Sequence, residues 1–528
     1  MRKFAPTILP EVEEAERVFV EQSECGRAAA FLSPPRVVPP RRRKPVSQLR
    51  FDDHLGGTDT LLWRTRADPL LRAPIVLVAI LDGELEERRF LERLASGISR
   101  VPRLRQIVQE VPLGISTPAW VEDPHFDISR HVSRERMPAA APWSWFFEFL
   151  SSFAAEPFPD SDPLWACTVL EGLPEQRSAI LIRVHHAMID GVGGVELLQM
   201  IFELERDADL QHIVEEECEA RPDATGLRPG TLAEALTREV EALVENSRGL
   251  LADAWEFASD PRGKTARISE ALDALDEAYR PQGGALSPSL FSRNGESRLE
   301  SLEIPLPALR AVARSVGCRL NAAYLAGLAR GFRIYHREYG AEPSRLRIGL
   351  PVDLRVGAAE SVAGNQMMAA RCLLPLDLPA GAEGLRQAES ISSEAQRFAR
   401  QISVEAGAKT LARLPTSALS LLLRSMLTSV DFMASNLPGP PVPLFVAGRH
   451  VEAFRAFGPT LGAAVNATLF TYGDEASVGV TMDRGAVPEP ELLMQSLRAG
   501  FREVLEETPQ IRHETVRTLG TPARPVAD

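Results

Sequence analysis

Two histidines stand side by side in "LIRVHHAMIDGVGG" (Leu181 to Gly194), at the end of an apolar run and just ahead of an acid and three glycines. A neutral imidazole, with a pKa ordinarily near about 6.5, can take a hydroxyl proton at neutral pH, so the chemistry this arrangement suits is general-base activation of an alcohol. If Ser178 to Val184 is a strand, successive side chains point to opposite faces, and His185 and His186 face one cavity only if the strand ends between them. The following "MIDGVGG" supplies turn residues and then a helix. Two other readings stand beside this one: a structural histidine, or a metal site using His and Asp. No other His-rich or Cys-rich segment offers further ligands, so no metal is expected.

The elements that must hold this turn alternate between strand and helix. "PIVLVAIL" (Pro74 to Leu81) and "SAILIRV" (Ser178 to Val184) read as strands, whereas "RRFLERLASGI" (Arg88 to Ile98) and "GVELLQMIFELE" (Gly194 to Glu205) space their apolar residues as helices do. The pattern predicts a mixed α/β half over residues 49–205, then an acidic helical crossover over 206–288. A second half over 289–528 resumes the alternation with "LESLEIPL", "LNAAYLAGLARGFRIYHREYG", "RLRIGLPVDLR", the helical Leu419 to Val430, "AAVNATLFTY", "ASVGVTM" and a closing helix from about Glu489 to Glu507. Residues 1–48 form a basic, proline-rich tail whose "PPRVVPPRRRKP" is either a solvated linker or a contact with anionic lipid.

A chain of 528 residues exceeds what one core usually serves, and 45% hydrophobic with 25% charged residues suits a globular protein. The formal net charge of -13 argues against nucleic acid as a partner. Cys25, Cys167, Cys218, Cys318 and Cys372 are odd in number and unpaired in spacing, which fits a reducing cytoplasm. The N-terminus lacks the apolar segment of a signal peptide, and no run reaches the length of a spanning helix, so a soluble or peripherally bound protein is expected.

"HHAMIDG" resembles the HHxxxDG signature of the bacterial wax ester synthase/acyl-CoA:diacylglycerol acyltransferase family, within the CoA-dependent acyltransferase superfamily. "DPLW" (Asp162 to Trp165), "LPVDLR" (Leu350 to Arg355) with Gly364 and Asn365, "SNLPGP" (Ser435 to Pro440), "FGPTLGAAVNATLFTY" and "TMDRGAVPEPELL" resemble further family segments in order, from about residue 51 to 508. The resemblance implies two chloramphenicol acetyltransferase-like α/β halves with a tunnel between them, acyl-CoA entering from one side and an alcohol from the other. His186 is then the general base and His185 its supporting neighbour. Asp190 is structural, with Arg355 its candidate partner and a direct bond to His186 the alternative, and Gly191 allows the turn. Ser435 and Asn436, placed on a loop, present polar groups to the oxyanion or to CoA, or else form a purely structural turn. Pro163 and Trp165 pack the tunnel wall, although core packing would also explain Trp165.

One departure stands out. Where the family commonly has an Asn-Asp pair at a helix start, this chain has Asn321 followed by Ala322, which points to altered alcohol selection, a substitute helix N-terminal contact or reduced activity. The implied activity is transfer of a long-chain acyl group from acyl-CoA to diacylglycerol or a fatty alcohol. No cofactor is implied beyond the acyl-CoA co-substrate, and the implied location is cytoplasmic, on the inner membrane face or lipid droplets. The competing expectations are acylation of another hydroxyl, condensation on a carrier, and a non-catalytic lipid-binding paralogue.

Overall fold

The run of β-branched residues before the histidines makes β7 (Arg177–His185), and "PIVLVAIL" makes β2 (Pro74–Leu81). They pair antiparallel from Pro74 opposite His185 to Leu81 opposite Ser178. Both are apolar along most of their length because the sheet is covered on both faces. The computed structural model describes residues 50–110, 117–188, 201–206, 287–353, 362–363, 367–401, 408, 411–412 and 414–507, all within one unit spanning Pro45–Asp528. The expected tail and all but the ends of the expected crossover lie outside the described residues.

Around β7 the first sheet adds β6 (Trp165–Leu173), antiparallel, and β5 (Val132–Arg136), parallel to β6. Its other edge comes from far along the chain: β14 (Arg449–Phe457) lies antiparallel to β2 and carries the short β13 (Phe445–Val446). The order is therefore β13-β14-β2-β7-β6-β5. Helices α1 (Gly57–Arg64), α2 (Glu87–Arg100) and α3 (Trp143–Ala155) belong to this half. Two small ladders join β1 (Arg50–Phe51) to β10 (Val362–Ala363) and β3 (Gln106–Gln109) to β4 (Ala119–Glu122).

The second sheet also has six strands, in the order β11-β9-β12-β15-β16-β8. They are β8 (Ser297–Pro305), β9 (Arg345–Asp353), β11 (Met367–Pro375), β12 (Phe432–Pro438), β15 (Val465–Tyr472) and β16 (Glu475–Asp483). With it go α4 (Leu306–Ser315), α5 (Leu320–Glu338), α6 (Ala382–Gln401), α7 (Thr416–Leu427) and α8 (Pro490–Glu506). Helices α5 and α8 cross so closely that a Cβ on Gly500 would lie 2.2 Å from the Gly331 backbone nitrogen. Only glycine fits such a crossing.

Strand β14 ties the sheets together. Arg455, 3% exposed, pairs with Glu303 of β8, and Ser477 of β16 donates to the Phe454 carbonyl at 2.9 Å. Phe454 also packs edge-on against Phe202 and Tyr472. Of the helix expected over Gly194 to Glu205, only Ile201 to Glu205 lie among the described residues; Ile201 is helical and those after it are not, because Glu203 exchanges backbone hydrogen bonds of 2.7 and 2.8 Å with Phe445 and is drawn onto β13 instead. No helix among the described residues is long and apolar enough to cross a membrane.

Candidate active site

Strand β7 ends at His185, so the chain turns between the two histidines. The His185 N–H bonds the Leu164 carbonyl at 2.9 Å, the His186 N–H bonds the Ala73 carbonyl at 2.8 Å, and the Met188 N–H returns to the His185 carbonyl at 2.9 Å. The His185 side chain closes the same turn, its Nδ1 accepting from the Ala187 N–H at 3.1 Å. That bond places the ring proton on Nε2. Burial, then the neighbouring His186, then Arg66 hold the His185 imidazole down at about 3, so it is neutral at physiological pH.

His186, half-buried, faces elsewhere. It lines a cavity of about 220 Å³ between the two sheets, with Ser435, Asn436, Asn466 and Thr468 among the polar residues of its wall. The remaining wall is apolar, formed by residues such as Leu61, Leu411, Leu423, Met426, Leu427 and Met433. The cavity opens where parallel neighbours part: β12 pairs with β9 at Phe432 and Met433, and Pro351, Ser435 and Asn436 beyond that pairing line the cavity. Ligand crevices form at such points in α/β sheets.

The structure brings several expected residues together and separates others. Asn436 Nδ2 donates to Asn321 Oδ1 at 3.4 Å, and Asn321 Nδ2 donates to Ser392 Oγ of α6 at 2.7 Å, so residues far apart in sequence form one polar edge. Ser435 and Asn436 were expected on a loop; they lie in β12, which pairs in parallel with β15 through Pro438 opposite Thr471. Pro163 and Trp165 are not among the residues lining the His186 cavity. Trp165, 4% exposed, donates Nε1–H to the Leu104 carbonyl at 2.8 Å and stacks on His131 at 4.6 Å, which commits it to the core of the first half. Ala322 has no exposed surface and belongs to the core of the second half, so it touches packing and not the cavity. Asp190, Gly191, Arg355, Gly364 and Asn365 lie outside the described residues.

Asn466 and Thr468 escaped the sequence reading. Thr468 Oγ1 donates to Asn466 Oδ1 at 3.0 Å and accepts from the Gly458 N–H at 3.2 Å, while Asn466 Nδ2 donates to the Pro459 carbonyl at 2.6 Å. The pair thus pins the Gly458–Pro459 wall of the cavity. A Cβ on Gly458 would meet Asn466 Nδ2 at 2.7 Å, so the clamp requires glycine there. The signal is two polar residues at period two, Asn466 and Thr468, in the largely apolar "AAVNATLFTY".

Comparison with known proteins gives the family and the fold. The model of the wax ester synthase/diacylglycerol acyltransferase catalytic domain matches residues 55–324, and that of the WS/DGAT C-terminal domain matches residues 363–504. A Mycobacterium tuberculosis protein assigned by name to the diacylglycerol O-acyltransferases is 31% identical over 463 residues, covering 86% of this chain and 92% of the relative. Among solved structures, the wax ester synthase/diacylglycerol acyltransferase from Marinobacter aquaeolei VT8 superposes with a TM-score of 0.56 at 20% identity, covering 86% of this chain and 99% of that one. The starter condensation domain of rhizomide synthetase, bound to C8-CoA and Leu-SNAC, gives 0.53 at 14% identity, covering 86% and 93%. Both structures share the α/β, two-domain fold found here. With both family models matched in order and a relative 31% identical over most of its length, this chain belongs to the wax ester synthase/diacylglycerol acyltransferase family.

Proposed function

We propose that the protein transfers a long-chain acyl group from acyl-CoA to diacylglycerol or a fatty alcohol, with His186 as the general base. The carrying observation is that His186, Ser435 and Asn436 line one cavity whose wall is otherwise mostly apolar. An acyl or alkyl chain fits that wall, and burying each methylene contributes about 0.8 kcal/mol to its binding. The alcohol gives its proton to His186 as its oxygen bonds to the thioester carbonyl carbon. The resulting oxyanion is met by Asn436 Nδ2–H and Ser435 Oγ–H, the C–S bond then breaks, and the CoA sulfur recovers the proton from His186. This direct transfer needs no acyl-enzyme and no cofactor beyond the acyl-CoA co-substrate. Asp190, with Arg355 as its partner, holds the histidine turn in this scheme, and Gly191 permits it.

The test is thiol release from palmitoyl-CoA with hexadecanol, diacylglycerol and a panel of other hydroxyl acceptors. Acceptor-dependent release of CoA is the expected result, and its absence with every acceptor would favour a non-catalytic lipid-binding protein. A peripheral position on a cytoplasmic membrane face or lipid droplet belongs to the same proposal. It is supported by α7, whose Leu423, Met426 and Leu427 line the cavity while Leu421 is 72% and Leu422 37% exposed. One helix then has a face toward the lipid substrate and a face toward its source.

A further inference from the structure

Behind the histidine turn lies a second cavity, of about 440 Å³, that the acyl-transfer scheme does not use. It is walled by Arg64, Arg66, Arg72 and Thr416, by the carboxylates of Glu110, Glu156 and Asp160, and by His185. His185 is 4% exposed, and its Nε2, the ring nitrogen that carries the proton, is buried without a hydrogen-bond partner. A buried donor left without a partner is destabilising, so an acceptor brought against His185 would relieve it.

The charges sort themselves. Asp160 binds Arg66 through two bonds of 3.0 Å, Glu110 takes the Trp63 indole N–H at 2.6 Å and Arg66 at 3.4 Å, and Glu156 pairs with Arg183 at 3.2 Å. Each lining carboxylate thus has a guanidinium partner, Arg66 serving both Asp160 and Glu110 and Arg183 serving Glu156. Among the described residues Arg64, in contrast, meets only neutral acceptors, the Ala412 carbonyl and Thr416 Oγ1, and the exposed Arg72 has no partner. Thr416 also opens the 12-residue helix α7, whose first-turn N–H groups have no side-chain cap. A helix N-terminus, two guanidiniums without an acid and a buried imidazole N–H therefore surround one space.

We propose that this cavity is a binding site for an anionic group, a phosphate, held by Arg64, Arg72, the N-terminus of α7 and His185 Nε2–H. The chemistry is shared by free inorganic phosphate and by the phosphates of CoA. Because α7 also walls the His186 cavity, an anion here fixes one wall of the lipid site from behind. Calorimetric titration of the full chain with inorganic phosphate and, separately, with CoA tests the site. Arg72→Gln, a substitution at an exposed side chain, should weaken binding about tenfold, the effect of losing one charge-assisted hydrogen bond, and Arg64→Gln/Arg72→Gln should weaken it further. Arg72-dependent binding of phosphate identifies a free-anion site, and Arg72-dependent binding of CoA alone identifies the CoA phosphates as the occupant. Binding of both ligands that is indifferent to Arg72, or binding of neither to the wild-type chain, overturns the proposal. Acyl transfer assayed on the same samples keeps the two readings apart, since a catalytically silent wild-type protein would leave the phosphate result standing.

Discussion

The two sides of the histidine turn differ in almost every physical respect although the side chains that face them are identical and adjacent. On one side His186 is half-buried in the wall of a largely apolar cavity between two sheets; on the other His185 is buried edge-on to Trp63 and Phe158, lines a cavity that also holds guanidiniums and carboxylates, and is bound to its own turn through Nδ1. The difference comes from one fact of chain geometry, the end of β7 at His185. Residue type gives a histidine its range of chemistry, and the last residue of a strand decides which of two neighbours can use it.

That contrast can be broken or sharpened by substitution. The largest effect is expected where an ionisable group is forced into a place built without one: Ala322→Asp puts a carboxylate at a position with no exposed surface, which costs about 3–5 kcal/mol for an uncompensated buried charge. Urea denaturation should show the loss, and a wild-type midpoint with an altered product ratio would instead make position 322 part of acceptor selection.

Next in size is filling the apolar cavity. Leu427→Trp should lower turnover of long acyl chains relative to short ones by about 10–200-fold, the range that small changes in a hydrophobic pocket command, while leaving phosphate binding behind the turn intact. A uniform loss over all chain lengths, seen in kcat/KM for an acyl-CoA series, would place the chain elsewhere.

A smaller effect follows from His185. An unfolded histidine titrates near about 6.5, whereas burial, His186 and Arg66 hold this one at about 3, so between those values the unfolded chain binds a proton that the folded chain refuses. Its contribution is complete above the unfolded pKa and is lost as pH falls toward the folded one, by up to about 1.4 kcal/mol per pH unit. His185→Asn should flatten the difference between urea midpoints at pH 7 and pH 5. An unchanged slope would mean that other groups govern the acid response. The smallest effect is at the outer face of α7, where Leu421→Ser/Leu422→Ser should reduce sedimentation with liposomes severalfold and spare turnover of short, soluble acyl-CoA. Undiminished sedimentation would remove α7 from membrane attachment.

Much of this molecule is legible in the sequence, and the rest is hidden for identifiable reasons. Strand β2 and helices α2, α5 and α7 follow directly from apolar periodicity, because that signal is local. The pairing of β14 with β2 is not legible, since an edge contributed from more than three hundred residues away leaves no mark on either strand. The strand around Ser435 and Asn436 is masked by "LPGPP", which reads as a turn. Beyond Met433 the strand has left β9, so Pro438 needs no N–H on that side. For Trp165 the sequence leaves tunnel wall and core packing open, because β6 is buried on both faces and alternation alone does not say which face meets substrate. For the site itself, the histidine pair, Ser435 and Asn436 were readable as motif residues. Asn466 and Thr468 needed the cavity to give their polarity a meaning.

The most direct measurement is steady-state release of CoA by His186→Ala and His185→Ala in one assay, with melting curves of both. Losing a general base typically costs about a hundredfold to ten-thousandfold in rate. His186→Ala is therefore expected to fold like the wild type, bind acyl-CoA and lose nearly all transfer, while His185→Ala keeps measurable turnover at reduced stability. A folded His186→Ala protein with full activity, or a His185→Ala protein that is stable and inert, would contradict the division of labour between the two histidines.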